Sequence, residues 1–280
     1  MTQEKPVLRL GSELKTIERP WVMGIINVTP DSFYAGSRTP YIDSLKKRVE
    51  AMVASGVDVL DIGGYSTRPG AADISPAEEW DRLAPALEAI RTEWPSIPVS
   101  VDTFRASVAR EAVSVWGVEI INDISGGDID PDMFPTVAEL GVAYVLMHMR
   151  GTPATMQSLT DYRNVTAEVL EDLARKDARL REMGVADVII DPGFGFAKNV
   201  SQNYELLRNL EAFKALGRPL LVGMSRKSMI WRPLETTPAE SLPGTIALHT
   251  AALMKGADII RVHDVAEAVQ MRDVIQLLNP

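Results

Sequence analysis

Eight short apolar runs recur along this chain, with amphipathic segments between them. The runs cover residues 22–26, 57–62, 98–101, 118–121, 142–147, 188–190, 220–222 and 259–262. They are rich in Val and Ile and lack clean apolar–polar alternation, as strands buried on both faces do. The segments between them have helical spacing. Leu45, Val49, Met52 and Val53 fall on one face, and so do Val165, Val169, Leu173 and Leu180. Strand–helix alternation implies a parallel sheet with helices outside. Eight such units predict an α/β fold closed as a (βα)8 TIM barrel, and 280 residues at 46% hydrophobic content suffice for one such core. An open doubly wound sheet is the competing architecture. The first run is not followed by Gly-x-Gly-x-x-Gly, which weakens a dinucleotide-binding version of it. Residues 21–280 are therefore expected to form a single barrel domain. Residues 1–20 are expected to form an N-terminal lead-in or a hairpin that plugs the barrel bottom.

Local signals agree with this layout. Ser75-Pro76-Ala77-Glu78 and Thr237-Pro238-Ala239-Glu240 both read as capping boxes with Pro at the first helical position. Gly56, Gly117, Gly141, Gly184, Gly217 and Gly256 each stand just before a strand, where helices stop.

Each apolar run ends in a polar residue: Asn27, Asp61, Asp102, Asn122, His148, Asp191, Ser225 and His263. Asp and Asn also cap helices, so any single member has a structural explanation. Eight in eight point to one polar mouth, where barrel enzymes place their chemistry. The segment opening with Asn27 runs for about fifteen residues before the first helix, long enough for a lid. After the second strand, Gly63-Gly64 lets backbone amides approach a ligand, Thr67 offers a hydroxyl and Arg68 a fork for phosphate. Asp191-Pro192-Gly193-Phe194-Gly195-Phe196 sets a carboxylate beside two aromatic walls. Arg261 and His263 share a strand face and can point together at an anion, and barrels often hold phosphate at the ends of strands seven and eight. Arg226 either joins them or pairs with a structural acid.

Composition excludes other chemistry. The formal net charge is -9, which repels nucleic acid and anionic lipid, so an anionic substrate needs a local basic pocket. There is no cysteine, hence no disulfide or thiolate metal site. The start of the chain has no apolar core of a signal peptide, and no stretch is long enough for a membrane helix. A cytoplasmic protein without nucleic-acid or membrane partners is expected. Of the three histidines, His249 reads as a core residue, and His148 and His263 lack the His-x-His pair of a zinc barrel hydrolase. Mg²⁺ carried in with phosphates remains compatible.

The motifs together resemble one family. Gly24-Ile25-Ile26-Asn27-Val28-Thr29-Pro30-Asp31-Ser32-Phe33, Asp61-Ile62-Gly63-Gly64-Tyr65-Ser66-Thr67-Arg68-Pro69-Gly70-Ala71 and Ser100-Val101-Asp102-Thr103 resemble the dihydropteroate synthases. So do Ile121-Asn122-Asp123-Ile124-Ser125-Gly126, Asp191-Pro192-Gly193-Phe194-Gly195-Phe196, Ser225-Arg226-Lys227 and Arg261-Val262-His263-Asp264-Val265. The resemblance runs in order from Gly24 to the last helix.

It implies condensation of 6-hydroxymethyl-7,8-dihydropterin pyrophosphate with p-aminobenzoate, releasing pyrophosphate by a dissociative route. It implies pterin binding by Asp102, Asn122, Met147, Asp191, Phe194 or Phe196, and Lys227. Pyrophosphate falls to Asn27, Thr67, Arg68, Arg261 and His263, with Asn27 a ligand to Mg²⁺. The aminobenzoate site is Phe33, Thr67, Pro69, Phe196 and Ser225. Asp102, Lys227, Arg261 and His263 carry the catalysis, and a homodimer through outer helices is expected by analogy.

Departures from the family pattern are Tyr65 for the usual Glu, Ala197 for a usual Gly, Arg150 for a neutral residue, and the 229–233 segment. Two rival readings share the pterin residues: a pterin-dependent corrinoid methyltransferase and a non-catalytic pterin-binding paralogue.

Overall fold

The computed structural model describes residues 5–28, 38–66 and 73–278. The chain begins with an antiparallel hairpin, β1 (Val7–Leu10) and β2 (Glu13–Thr16). Eight parallel strands follow: β3 (Trp21–Asn27), β4 (Val59–Gly63), β5 (Val99–Asp102), β6 (Ile120–Asp123), β7 (Ala143–Met147), β8 (Val188–Asp191), β9 (Leu221–Val222) and β10 (Ile259–Val262). Their order in the sheet is β8-β7-β6-β5-β4-β3-β10-β9. A parallel bridge between Ile190 and Leu220 joins the two ends, and the Ile190 amide donates to Pro219 O at 2.9 Å. The sheet therefore closes, which settles the barrel against the open doubly wound alternative.

The helices outside are α1 (Arg38–Ala54), α2 (Pro76–Glu93), α3 (Ala106–Trp116), α4 (Met133–Leu140), α5 (Val165–Glu182), α6 (Val200–Arg208), α7 (Ser228–Trp231), α8 (Leu242–Met254) and α9 (Val265–Leu278). The six pre-strand glycines all adopt left-handed φ, between 60° and 87°. That conformation strains any residue with a Cβ, which is why glycine ends these segments. The Ser75 capping box forms as expected: Glu78 N donates to Ser75 Oγ at 3.2 Å, and Ser75 N donates to Glu78 Oε2 at 2.8 Å.

The second expected box does not start a helix. Thr237 N and Oγ1 do donate to Glu240 Oε2, at 3.2 and 2.8 Å, but the backbone only turns there. α8 begins at Leu242, after Ser241. A helix entered at Pro238 would carry Pro243 in its interior, where the ring clashes with a carbonyl four residues back.

Strand parity sorts the side chains. Val22, Ile26, Leu60, Ile62, Val99, Val101, Ile121, Leu146, Val188 and Ile190 face outward and pack under the helices. Met23, Val59, Ile120, Val145, Ile189, Leu221 and Ile259 face inward. The hairpin's Leu8 and Leu10, with Ile17, pack against this inner set and stopper the bottom. The Arg9 amide donates to Asp187 Oδ1 at 2.9 Å, just before β8, and fixes the hairpin in place. The lower barrel is thus dry and apolar, and polar residues are left to the carboxyl ends of the strands.

Leu8 is 1% exposed, so Leu8→Ala opens a cavity that should cost about 2–4 kcal/mol in urea-melt stability. Ligand affinities measured on the folded protein should be unchanged, because the mouth is at the opposite end.

Candidate active site

The same parity carries a polar layer to the top of the barrel. Asp61, Asn122, Asp191 and Arg261 follow the inward apolar Val59, Ile120, Ile189 and Ile259 by two positions on β4, β6, β8 and β10, and Asp102 follows the buried Ser100 on β5. Arg261 lies across the middle. Its Nε donates to Asp61 Oδ2 and its Nη2 to Asp102 Oδ2, both at 2.6 Å. Asn122 Nδ2 donates to Asp61 Oδ2 at 3.2 Å. Four strands are thereby joined through side chains.

Asp191 and Lys227 complete the cluster. The Gly193 amide donates to Asp191 Oδ1 at 2.7 Å, and Lys227 Nζ donates to Phe194 O at 2.5 Å. A Cβ on Gly223 would sit 3.6 Å from Arg261 Cβ and 3.9 Å from Lys227 Nζ, so the two side chains flank the same glycine. Three carboxylates face two cations here, Asp61 and Asp191 buried and Asp102, Lys227 and Arg261 half-buried. Burial pushes the Asp102 carboxyl up to about 7, with Arg261 opposing. Burial also raises Asp191 against the pull of Lys227, and lowers Lys227 to about 8 against the pull of Asp191.

Beside the cluster lies an apolar wall. Met147 packs with Phe104, Ile124, Met149, Met156 and Ala197, and with the partly exposed Phe196 and Tyr65. Lys227 Nζ stands 4.6 Å from the centre of the Phe196 ring. The expectation that Phe194 also supplies an aromatic wall needs correcting. Its ring is fully buried in the outer core beneath the helices, because its position in the turn alternates with that of Phe196. Only its carbonyl reaches the site, through Lys227.

Ser225 and His263 pair at the far rim. His263 N donates to Ser225 Oγ at 3.1 Å, and Oγ lies 3.0 Å from His263 Nδ1. Ser225 Oγ can accept from the amide and donate to Nδ1, an arrangement that keeps the ring proton on Nε2. Burial and then Arg261 hold the His263 imidazole down at about 4, so it is neutral at physiological pH. Arg261 and His263 do share the strand face, but Arg261 turns onto carboxylates. Arg226 takes the structural role: it grips Asp264 by two bonds, at 2.9 and 2.6 Å. His249 accepts from the Met224 amide at 3.2 Å inside the core, as expected of a structural residue.

Asn27 is exposed at the tip of β3, opposite Gly63. Phe33, Thr67, Arg68 and Pro69 lie outside the described residues. Among the described residues no group of three His, Asp or Glu could hold a metal ion. The hard amide oxygen of Asn27 at the rim fits a Mg²⁺ whose other ligands are phosphate oxygens and water.

The departures have physical settings. Tyr65 packs edge-on to Phe104, with centroids 5.0 Å apart, and Arg105 lies over both rings. Arg105 in turn is held by the buried Glu79 and by Asp73. Ala197 has φ 50°, a left-handed conformation in which glycine is unstrained. Arg150 stacks 3.7 Å over the Tyr162 ring and pairs with Glu168 at 2.8 Å. The 229–233 segment folds partly into α7.

Two buried residues had no assigned role in the sequence reading. Asp61 stands at a strand end in the sequence with nothing to mark Arg261 as its partner. Lys198 is 4% exposed, and its only signal was a lysine inside a glycine- and phenylalanine-rich turn.

Known proteins resemble the chain closely. The profile of the pterin binding enzyme family matches residues 23–263. The dihydropteroate synthase of Escherichia coli strain K12 is 45% identical over 263 residues, covering 93% of this chain and 92% of that protein. The Xanthomonas albilineans dihydropteroate synthase, solved with 4-aminobenzoic acid, superposes with a TM-score of 0.90 at 37% identity and covers 98% of each chain. The Yersinia pestis enzyme in complex with a sulfonamide drug also gives 0.90, at 38% identity, covering 98% of this chain and 99% of that one. The chain belongs to the pterin binding enzymes, and within them to the dihydropteroate synthases.

Proposed function

We propose that this barrel mouth joins 6-hydroxymethyl-7,8-dihydropterin pyrophosphate to p-aminobenzoate, giving 7,8-dihydropteroate and pyrophosphate. The observation that carries the reading is the buried floor of Asp61, Asp102, Asn122, Asp191, Lys227 and Arg261 beside the Met147–Phe196 wall. A pterin is flat, apolar on its faces and rich in donors along one edge. Asp191 can accept two parallel hydrogen bonds from that edge. Asn122 both donates and accepts, and Lys227 donates to a ring oxygen or nitrogen. Each pair left unmade on a wrong ring costs a few kcal/mol, which gives selectivity.

The reaction we assign is loose cleavage of the methylene C–O bond. Its electron pair leaves with pyrophosphate, and the methylene becomes cationic. We assign the leaving group to Arg261 and His263, and with them to Thr67 and Arg68. Mg²⁺ held by Asn27 and phosphate would supply further neutralisation of that charge. Asp102, facing the reduced ring, stabilises the cation electrostatically. The arylamine nitrogen then bonds to the methylene and loses a proton, without need of a strong base. Phe33, Thr67, Pro69, Phe196 and Ser225 shape its site. We also propose that the protein acts in the cytoplasm as a homodimer. Exposed apolar residues on the outer helices support the dimer: Met254 on α8, and Val274, Leu277 and Leu278 on α9.

Three outcomes test this. Pyrophosphate release should require p-aminobenzoate, and a sulfonamide should inhibit it competitively against p-aminobenzoate. Pterin binding without aminobenzoate-dependent product would favour the non-catalytic reading. Asp102→Asn should lower kcat by about 10²-fold or more, the scale of one lost charge-stabilising group. Wild-type turnover in that variant would remove Asp102 from the chemistry. The pH profile should be bell-shaped. Asp102 must be ionised, so kcat/KM falls as pH drops through about 7. Lys227 must keep its proton, so it falls again as pH rises through about 8. A flat profile across that range would contradict both assignments.

A further inference from the structure

Lys198 takes no part in the chemistry above, yet its amine is built into the molecule with care. Nζ lies 3.0 Å from each of three acceptors: His148 Nδ1, Gly193 O and Phe196 O. An ammonium has three donors, and these neutral acceptors use all of them. Burying such a group is costly unless every donor is met, and a methionine of similar length would fill the space without that cost. The placement therefore serves something other than filling.

The acceptors belong to two loops. His148 follows β7, and its amide donates to Asp191 O at 3.0 Å. Gly193 and Phe196 follow β8. The two loops are in direct contact, since a Cβ on Gly193 would fall 1.9 Å from His148 O. Gly193, Gly195 and Ala197 alternate in left-handed φ, at 73°, 83° and 50°. Such a winding turns Gly193 O and Phe196 O toward Lys198, and Phe194 O toward Lys227. Asn203 on α6 braces the same turn, accepting from the Gly195 amide at 2.7 Å. The Gly193 amide meanwhile orients the Asp191 carboxylate. One buried amine thus sits under the segment that carries Asp191, Phe196 and the anchor of Lys227.

We infer that Lys198 is a positioning residue for pterin recognition, its three hydrogen bonds holding residues 191–196 in the shape that grips the ring. This inference deepens the proposed function and rests on it.

The test measures Kd for 6-hydroxymethylpterin and, separately, for inorganic pyrophosphate with Mg²⁺, in wild type, Lys198→Met, His148→Ala and His148→Asn. Lys198→Met should weaken pterin binding about tenfold or more, the effect of several lost hydrogen bonds, and leave pyrophosphate binding within about twofold. His148→Ala should weaken pterin binding several-fold. His148→Asn, whose Oδ1 stands close to the Nδ1 position, should recover it. A folded Lys198→Met that binds pterin like wild type overturns the inference, as does equal loss of both ligands. If Lys198→Met does not fold, the His148 pair decides, and equal Kd values for Ala and Asn overturn it. A wild-type protein that binds no pterin fails the proposed function itself.

Discussion

The bridge of Arg261 between Asp61 and Asp102 is the interaction on which the mouth depends. Asp61 has no access to water, and Asp102 is only partly exposed. Two carboxylates so placed repel one another and resist ionisation unless a cation lies between them. Arg261 supplies it through a planar fork that meets both with short, charge-assisted bonds. Removing one partner would leave a buried charge uncompensated, which is far more damaging than the net worth of the pair. The bridge also aligns Asn122 through Asp61, so four strands present their polar groups in one fixed arrangement before any ligand arrives.

That arrangement is possible because the barrel divides its labour along its axis. Below, the hairpin and the inward Val, Ile, Leu and Met residues exclude water. Above, β4, β5, β6, β8 and β10 extend by one inward position to a polar side chain, Asp61, Asp102, Asn122, Asp191 and Arg261. The two regions share the same backbone hydrogen bonds, so the precision of the upper layer is inherited from the packing of the lower one. The loop after β8 adds a third level, fixed partly by a lysine with no ligand of its own.

Much of this was legible in the residues. The eight Val- and Ile-rich runs marked every strand of the barrel, and the six glycines marked the stops, because burial on both faces and left-handed φ leave few alternatives. The polar ends of the runs likewise put Asp102, Asn122 and Asp191 at one mouth, and period-two parity paired Arg261 with His263. What stayed hidden required distances across the barrel. Parity placed Arg261 at the mouth but could not say that Asp61 and Asp102 would hold it. The Phe194 and Phe196 rings looked equivalent until the turn's winding sent one into the core. Thr237-Pro238 carried a valid start signal that Pro243 overrode five residues later. Lys198 carried no assignment because its three partners are backbone and imidazole groups, which leave no charge pattern in a sequence.

The stoppered base has one more consequence. A barrel closed at one end behaves as a blind well with a single rim. A flat heterocycle resting on its acidic floor must be admitted before the rim is covered, and departs only after the rim is cleared. Traffic through such a well obeys a last-in, first-out rule. Any occupant of such a rim therefore stands in the exit of whatever lies beneath it.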